Sequence, residues 1–284
     1  TNPNYKNSNK ALIFGLFSTS TDRLAEFGYK SSNTGFSLGT GYEQFEDLYF
    51  RPRLSASYDK IETSNEASAS LKKQKGDYLA TKFIYSLDYD KRNRRFQPSS
   101  GYRHNFSQAV PIYSKTYALR NTYEFNQYYQ VSDTITAGLS FYGSMINTLK
   151  SEKDVRISER ITIPQRKLRG FETGKIGPMD GSDYVGGNYA SVINIYSDLP
   201  ILFENSQSTD VKFFFDAANL WGADYKENDG ASSYIRSSAG LALDWFTPVG
   251  PLNFSFAKPI TKKSSDITES FRFNIGTTFW WKNI

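Results

Sequence analysis

The run Ile235-Arg236-Ser237-Ser238-Ala239-Gly240-Leu241-Ala242-Leu243-Asp244-Trp245-Phe246 alternates between two kinds of side chain. Ile235, Ala239, Leu241, Leu243 and Trp245 share one face, and Arg236, Ser238, Gly240, Ala242 and Asp244 share the other. Successive side chains of an extended strand point to opposite faces, so this period of two marks a strand lying between an apolar and a polar environment. The pattern returns downstream. Leu252, Phe254 and Phe256 alternate with Asn253, Ser255 and Ala257, and Phe271, Phe273, Ile275 and Phe279 alternate with Arg272, Asn274, Gly276 and Thr278. Almost no 3.6-residue pattern competes with it elsewhere.

Two environments produce such strands. In a soluble sandwich the apolar face is a core; in an outer-membrane barrel it meets lipid while the polar face lines a wet lumen. Aromatic residues make up 16% of the 284 residues, yet mean hydropathy is −0.55, a pairing that suits a barrel whose alternating strands average out as hydrophilic. The longest apolar stretch, 11–17, falls short of the ~18 residues a spanning helix needs, which excludes helical membrane proteins. Aromatic rings near strand ends favour lipid: Tyr85 and Tyr89, Tyr128 and Tyr129, Trp221, Trp245, and Trp280 with Trp281 sit where a bilayer interface holds amphipathic rings.

Strands are predicted at 10–18, 35–45, 49–60, 78–90, 101–112, 115–131, 134–148, 187–198, 210–221, 234–247, 250–258 and 268–280, an even set of twelve. Short turns at Glu46-Asp47, Gln97 to Gly101, Asp133, Glu204-Asn205 and Pro248 to Pro251 alternate with long polar connections at 19–34, 61–77, 149–186, 222–233 and 259–267. Short turns on one rim and long loops on the other fit an outer-membrane barrel. The 61–77 stretch, rich in Ser and Lys, reads as a flexible external loop.

Composition removes most chemistry. With no Cys and His104 as the lone histidine, disulfides, thiol catalysis, thiolate metal sites and His-rich zinc sites are excluded. The net charge of +5 is mild and acidic residues are interleaved throughout, so no nucleic-acid face is expected. A barrel hydrolase built on Asn105, His104 and Ser107 meets a geometric objection, because positions 104 and 107 on one strand face opposite sides. Asp88 and Asp90 share a lumenal face beside Lys91, Arg92 and Arg94 and read as a solvated ion cluster. Gly39 and Gly41 open no helix and cradle no phosphate.

The longest connection, 149–186, exceeds the ~15 residues beyond which unstructured loops are usually functional or disordered. It contains Leu168-Arg169-Gly170-Phe171, followed by Ile176-Gly177-Pro178. With Gly186-Gly187-Asn188, Phe213-Phe214-Phe215-Asp216, Trp245 to Leu252 and Phe271 to Phe279, these blocks resemble, in order, the C-terminal barrel of BamA-type outer-membrane assembly factors of the bacterial surface antigen superfamily. The match is strong over 166–279 and one of pattern before that. In that family the long loop folds back into the lumen and its arginine meets an inward aspartate. Alternation makes Asp216 inward, with Lys212, Phe214 and Ala218, so Arg169 has a candidate partner. The family's lumenal carboxylate on the strand after the loop is replaced by Tyr196.

The resemblance implies an all-β transmembrane antiparallel barrel in the bacterial outer membrane, spanning 1–284 as one domain. It implies catalysis of folding rather than bond chemistry: an insertase for unfolded outer-membrane β-barrel proteins, working with outer-membrane lipid and accessory assembly lipoproteins. No enzyme activity, cofactor, metal or nucleic acid is implied. The alternative within the superfamily is a polypeptide-secretion or passive pore barrel. Family barrels have sixteen strands, and 10–18 resembles the fifth, so the chain is expected to be the C-terminal part of such a barrel, with no periplasmic chaperone-docking modules. Phe271, Phe273, Ile275 and Phe279 would face lipid on the closing strand, with Gly276 facing in, and 280–284 would extend beyond the aromatic that ends the family's signal.

Overall fold

The computed structural model describes residues 2–24, 28–95, 97–150, 153–199, 209–224, 233–247 and 250–275, without the side chains of Arg23 and Phe246. Twelve strands form one antiparallel meander: β1 (Ala11–Arg23), β2 (Tyr29–Phe45), β3 (Leu48–Thr63), β4 (Gly76–Asp90), β5 (Gly101–Tyr113), β6 (Ala118–Gln130), β7 (Thr136–Thr148), β10 (Tyr189–Asp198), β11 (Thr209–Trp221), β12 (Ile235–Thr247), β13 (Gly250–Thr261) and β14 (Phe271–Ile275). The connection between β7 and β10 carries the two-residue strands β8 (Met179–Asp180) and β9 (Asp183–Tyr184). Turns 46–47, 91–100 and 131–135 lie on one rim, and connections 64–75, 149–188 and 262–270 on the other. β1 and β14 are the sheet's two edges, and among the described residues no ladder joins them.

The two faces fall as the alternation requires. Leu16, Leu241, Phe256, Phe271, Phe273 and Ile275 are exposed on the outside, whereas Phe214, Asp216, Arg236, Ser238, Ser255 and Arg272 are buried inside. An outward surface of leucines and phenylalanines round a polar interior inverts a soluble protein and fits hydrocarbon outside. No helix among the described residues is long and apolar enough to cross a membrane. Gly276, Phe279, Trp280 and Trp281, like the Glu204-Asn205 turn and Pro248-Val249, lie outside the described residues.

Four expectations need correction. The supposed loop 19–34 is mostly strand: β1 runs on to Arg23 and β2 starts at Tyr29, in register from Thr19↔Asn33 to Arg23↔Tyr29. β2 has 17 residues and β3 has 16, whereas about 9–11 cross hydrocarbon. The excess rises above the bilayer, where outward positions need no apolar side chains, and there Asp22 pairs with Lys30 at 3.2 Å and Lys60 with Glu62 at 2.7 Å. Polarity therefore looked like loop. Nor is 61–77 a loose loop: it contains helix α1 (Ala69–Lys72), capped by Ser68, with Ala67 and fully buried Leu71 packed on Ile61, Ile157 and Val185. Asp88 is not solvated but 5% exposed, held by Arg103 at 2.7 Å and Arg51 at 3.0 Å. Finally, neighbouring rings on one strand cannot share a face: Tyr129 is exposed outside, and Tyr128 therefore turns inward.

The core is not between two sheets. Val155, Ile161, Ile163, Leu168, Phe171 and Ile176 of the long loop pack on Tyr142, Ile146, Val192, Ala218 and Leu220 of the wall, so the lumen is filled by the loop itself. Below it, Gln97 of the β4–β5 turn donates to Asp210 of β11 at 2.9 Å, reaching across the opposite mouth.

Candidate functional site: the loop seated in the lumen

The site is the inner face of β10 to β14 together with the segment 165–176. Asp216 on β11 is completely buried, and its carboxylate receives Arg169 in a two-pronged contact, Nε at 2.8 Å and Nη2 at 2.7 Å. The Arg169 backbone N–H adds a third hydrogen bond at 3.0 Å. Such fork-to-carboxylate geometry is what guanidinium supplies and ammonium does not. The Arg169 guanidinium also lies 3.3 Å from the centre of the Phe214 ring, so the charge is held between a carboxylate and an aromatic face. The further support from β10 goes to the aspartate and the loop backbone, and it comes from Asn194 and not from Tyr196. Asn194, one inward position earlier, donates to Asp216 at 2.8 Å and to the Lys167 carbonyl at 2.7 Å, while the Tyr196 ring occupies the space over Gly138.

Gly170 explains why the loop can come so close. Its φ is +87°, a conformation that costs residues with a Cβ about 1–2 kcal/mol. A Cβ there would also stand 3.1 Å from the Ser238 Cβ and 3.2 Å from the Ala257 Cβ. Ser238 Oγ donates to the Arg169 carbonyl at 2.5 Å. Leu168 and Phe171, at 3% and 1% exposure, are anchors in the loop core. Phe171 pairs with Thr268, and its carbonyl accepts from Arg272 on β14.

A second group of buried ions holds the front of the loop and was not read from the sequence. Glu159 pairs with Lys82 on β4 and with Arg156 at 3.0 Å, and its backbone carbonyl accepts from Arg120 on β6. Ser158 donates to Asp59 on β3 at 2.5 Å, and Arg156 stands 3.6 Å from the same carboxylate. Burial alone would raise the Glu159 carboxyl, but the Lys82 ammonium and the Arg156 guanidinium outweigh it and hold it at about 2. A third tie joins Arg160 to Asp224 at 3.0 Å, with Asn188 donating to the same carboxylate at 2.8 Å. For Asp59, Lys82 and Arg120 the available signal was parity alone, each a polar side chain on an inward strand position; Asp224, beyond the end of β11, carries no such signal.

The remaining candidates separate. His104 is outside, its Nδ1 2.6 Å from the Tyr123 hydroxyl and its ring 4.8 Å from Phe125, within an outward aromatic band. Ser107, paired with Ser86, lies on the inner face. Among the described residues no group of three or more His, Asp or Glu is placed to hold a metal.

Comparison with known proteins agrees with this architecture. The chain is 27% identical over 257 residues to the outer membrane protein assembly factor BamA of Neorickettsia risticii, covering 88% of this chain and 34% of that protein. It is 26% identical to sorting and assembly machinery component 50 homolog A of Xenopus laevis, over 75% of this chain and 48% of the relative. The crystal structure of BamA from Haemophilus ducreyi lacking POTRA domains 1–3 superposes with a TM-score of 0.84 at 23% identity, over 98% of this chain and 60% of that one. CdiB from Acinetobacter baumannii shares the fold more distantly, with a TM-score of 0.56 at 12% identity over 92% of this chain and 46% of that one. The chain thus spans less than two thirds of the length of each of these relatives. The Omp85 superfamily domain matches residues 1–279, and with its alternating strands and lumen-seated loop the chain belongs to the Omp85 superfamily.

Proposed function

We propose that this chain is the C-terminal part of the membrane barrel of a bacterial outer-membrane insertase that assists folding and insertion of β-barrel proteins. The observation that carries the reading is the filled lumen. The Arg169–Asp216 lock, the apolar packing of the loop and the Gln97–Asp210 crossing place ordered contacts across the described interior, which weighs against a passive pore. The working surfaces are then the outside of the wall and the strand edges. An exposed edge offers unpaired N–H and C=O groups to an incoming strand, which cannot enter hydrocarbon with its own backbone groups unsatisfied. The names of the BamA and sorting-machinery relatives support the same reading. Implied partners are unfolded barrel proteins, outer-membrane lipid and accessory lipoproteins; Arg169, Asp216 and the closing strand are the residues on which activity would depend.

Reconstitution tests this directly. The barrel of which this chain is the C-terminal part, reconstituted in liposomes, should accelerate folding of a small model barrel protein, read by the gel shift of the folded form. Ion conductance without acceleration would overturn the reading in favour of a pore.

A further inference from the structure

The tripeptide Arg169-Gly170-Phe171 touches four consecutive strands in turn. Arg169 grips Asp216 on β11, its carbonyl takes the Ser238 hydroxyl on β12, Gly170 seats against Ser238 and Ala257 on β12 and β13, and the Phe171 carbonyl takes Arg272 on β14. We propose that Arg272 is a positioning residue through which the loop fixes the terminal strand, so that unseating the loop and freeing the β14 edge are one event.

The geometry around Arg272 carries this. Its side chain is 5% exposed on the inner face, while its neighbours Phe271 and Phe273 face outward. One guanidinium nitrogen, Nη1, donates to the Gln165 carbonyl at 2.5 Å. Nη2 donates to the Phe171 carbonyl and to Glu269 at 2.8 Å, and Nε donates to Glu269 at 3.0 Å. Two of these acceptors are loop backbone, which only a planar fork with several donors can hold together. The approach to β14 is bonded to the loop as well: Glu172 N to Ile267 O at 3.0 Å, Ile267 N to Lys175 O at 3.1 Å and Glu269 N to Gly170 O at 3.1 Å.

β14 needs such a tether. Among the described residues it is an edge strand with one ladder, Leu252–Phe256 against Phe271–Ile275, whereas interior strands are held on both sides. Its outward side chains meet lipid, which is no more cohesive to them than the apolar surface they would lose. Among the described residues, the inward Arg272 therefore ties this strand to something other than β13. The proposal rests on the insertase reading only for its use, since a movable edge is what an insertase would offer its clients.

The chain has no Cys, so spin labels can be placed by Ile193→Cys on β10 and Phe273→Cys on β14, both outward and exposed. Four inter-strand steps of ~4.8 Å, combined with a register offset of about six residues (~20 Å) along the strands, put them roughly 28 Å apart, within reach of pulsed electron–electron resonance in lipid nanodiscs. The expected result is a narrow distribution in the parent chain, at least doubled in width by Arg272→Gln and equally by Arg169→Ala, with Arg272→Lys intermediate. A control pair, Phe83→Cys on β4 with Ile193→Cys, should stay narrow in every variant. An unchanged width in Arg272→Gln, broadening by Arg272→Gln that Arg169→Ala does not reproduce, or equal broadening of the control pair would each overturn the proposal. Client-folding acceleration by the unlabelled barrel of which this chain is part is measured alongside: its absence removes the insertase reading, while the distance distributions judge the tether alone.

Discussion

Replacing Arg169 by Ala leaves a carboxylate with no solvent contact facing the lumen wall. Asp216 would keep the Asn194 amide and the residue-169 backbone N–H, but lose its counter-ion and both guanidinium hydrogen bonds. Removing one partner of a buried pair costs about 3–5 kcal/mol, more than the pair itself contributes, because the other charge stays buried. If that cost falls on loop seating, the unseated population rises by roughly two to four powers of ten at 1.4 kcal/mol per decade. The loop carries its own reporter, Lys175, a trypsin site that is 8% exposed when the loop is seated. Digestion of the reconstituted chain under conditions where opening precedes cleavage reads that population. Arg169→Ala should therefore be cut at Lys175 at least a hundred times faster than the parent. Adding Asp216→Ala should recover part of the loss, since it removes the stranded charge. Unchanged trypsin resistance in Arg169→Ala, or strictly additive effects in the double variant, would refute the reasoning.

Gly170→Ala should raise the same cleavage rate about five- to thirtyfold, from the ~1–2 kcal/mol of a positive φ with a Cβ, and a wild-type rate would show that the backbone relaxes freely. Leu241→Arg, on the outward face of β12, should destabilise the chain by roughly 2–4 kcal/mol in urea titrations of folding into lipid; no effect would mean that this face does not meet hydrocarbon. The Glu159 carboxyl is lowered from its ordinary 4.5 to about 2 in the folded chain, so its contribution is full above pH 4.5 and lost as pH falls toward 2. Pepsin protection of the loop should decline across that window, and the Glu159→Gln variant should lack this share of the decline; identical profiles would contradict the assignment.

Alternation along the chain was enough to place the strands and their two faces, because the direction of a side chain on a strand depends only on its position relative to its neighbours. Asp216, Arg236, Ser255 and Arg272 were inward by parity before any contact was known. The Arg169–Asp216 pairing was also legible, though through resemblance to a family and not through spacing. What tertiary structure alone decided is the set of partners inside the lumen. Glu159 meets Lys82 on β4, Arg272 on β14 meets the carbonyls of Gln165 and Phe171, and Arg160 meets Asp224 in the connection after β11, each pair joining the non-periodic loop to a distant segment. Asn194 in place of Tyr196 shows the same limit: inward parity marks both, and only the depth to which the loop descends selects one. The upper parts of β1 and β2 were missed for the complementary reason. Once a strand leaves hydrocarbon its outer face loses the apolar alternation that betrays it, and it is held instead by backbone pairing with its neighbour, which no local pattern records.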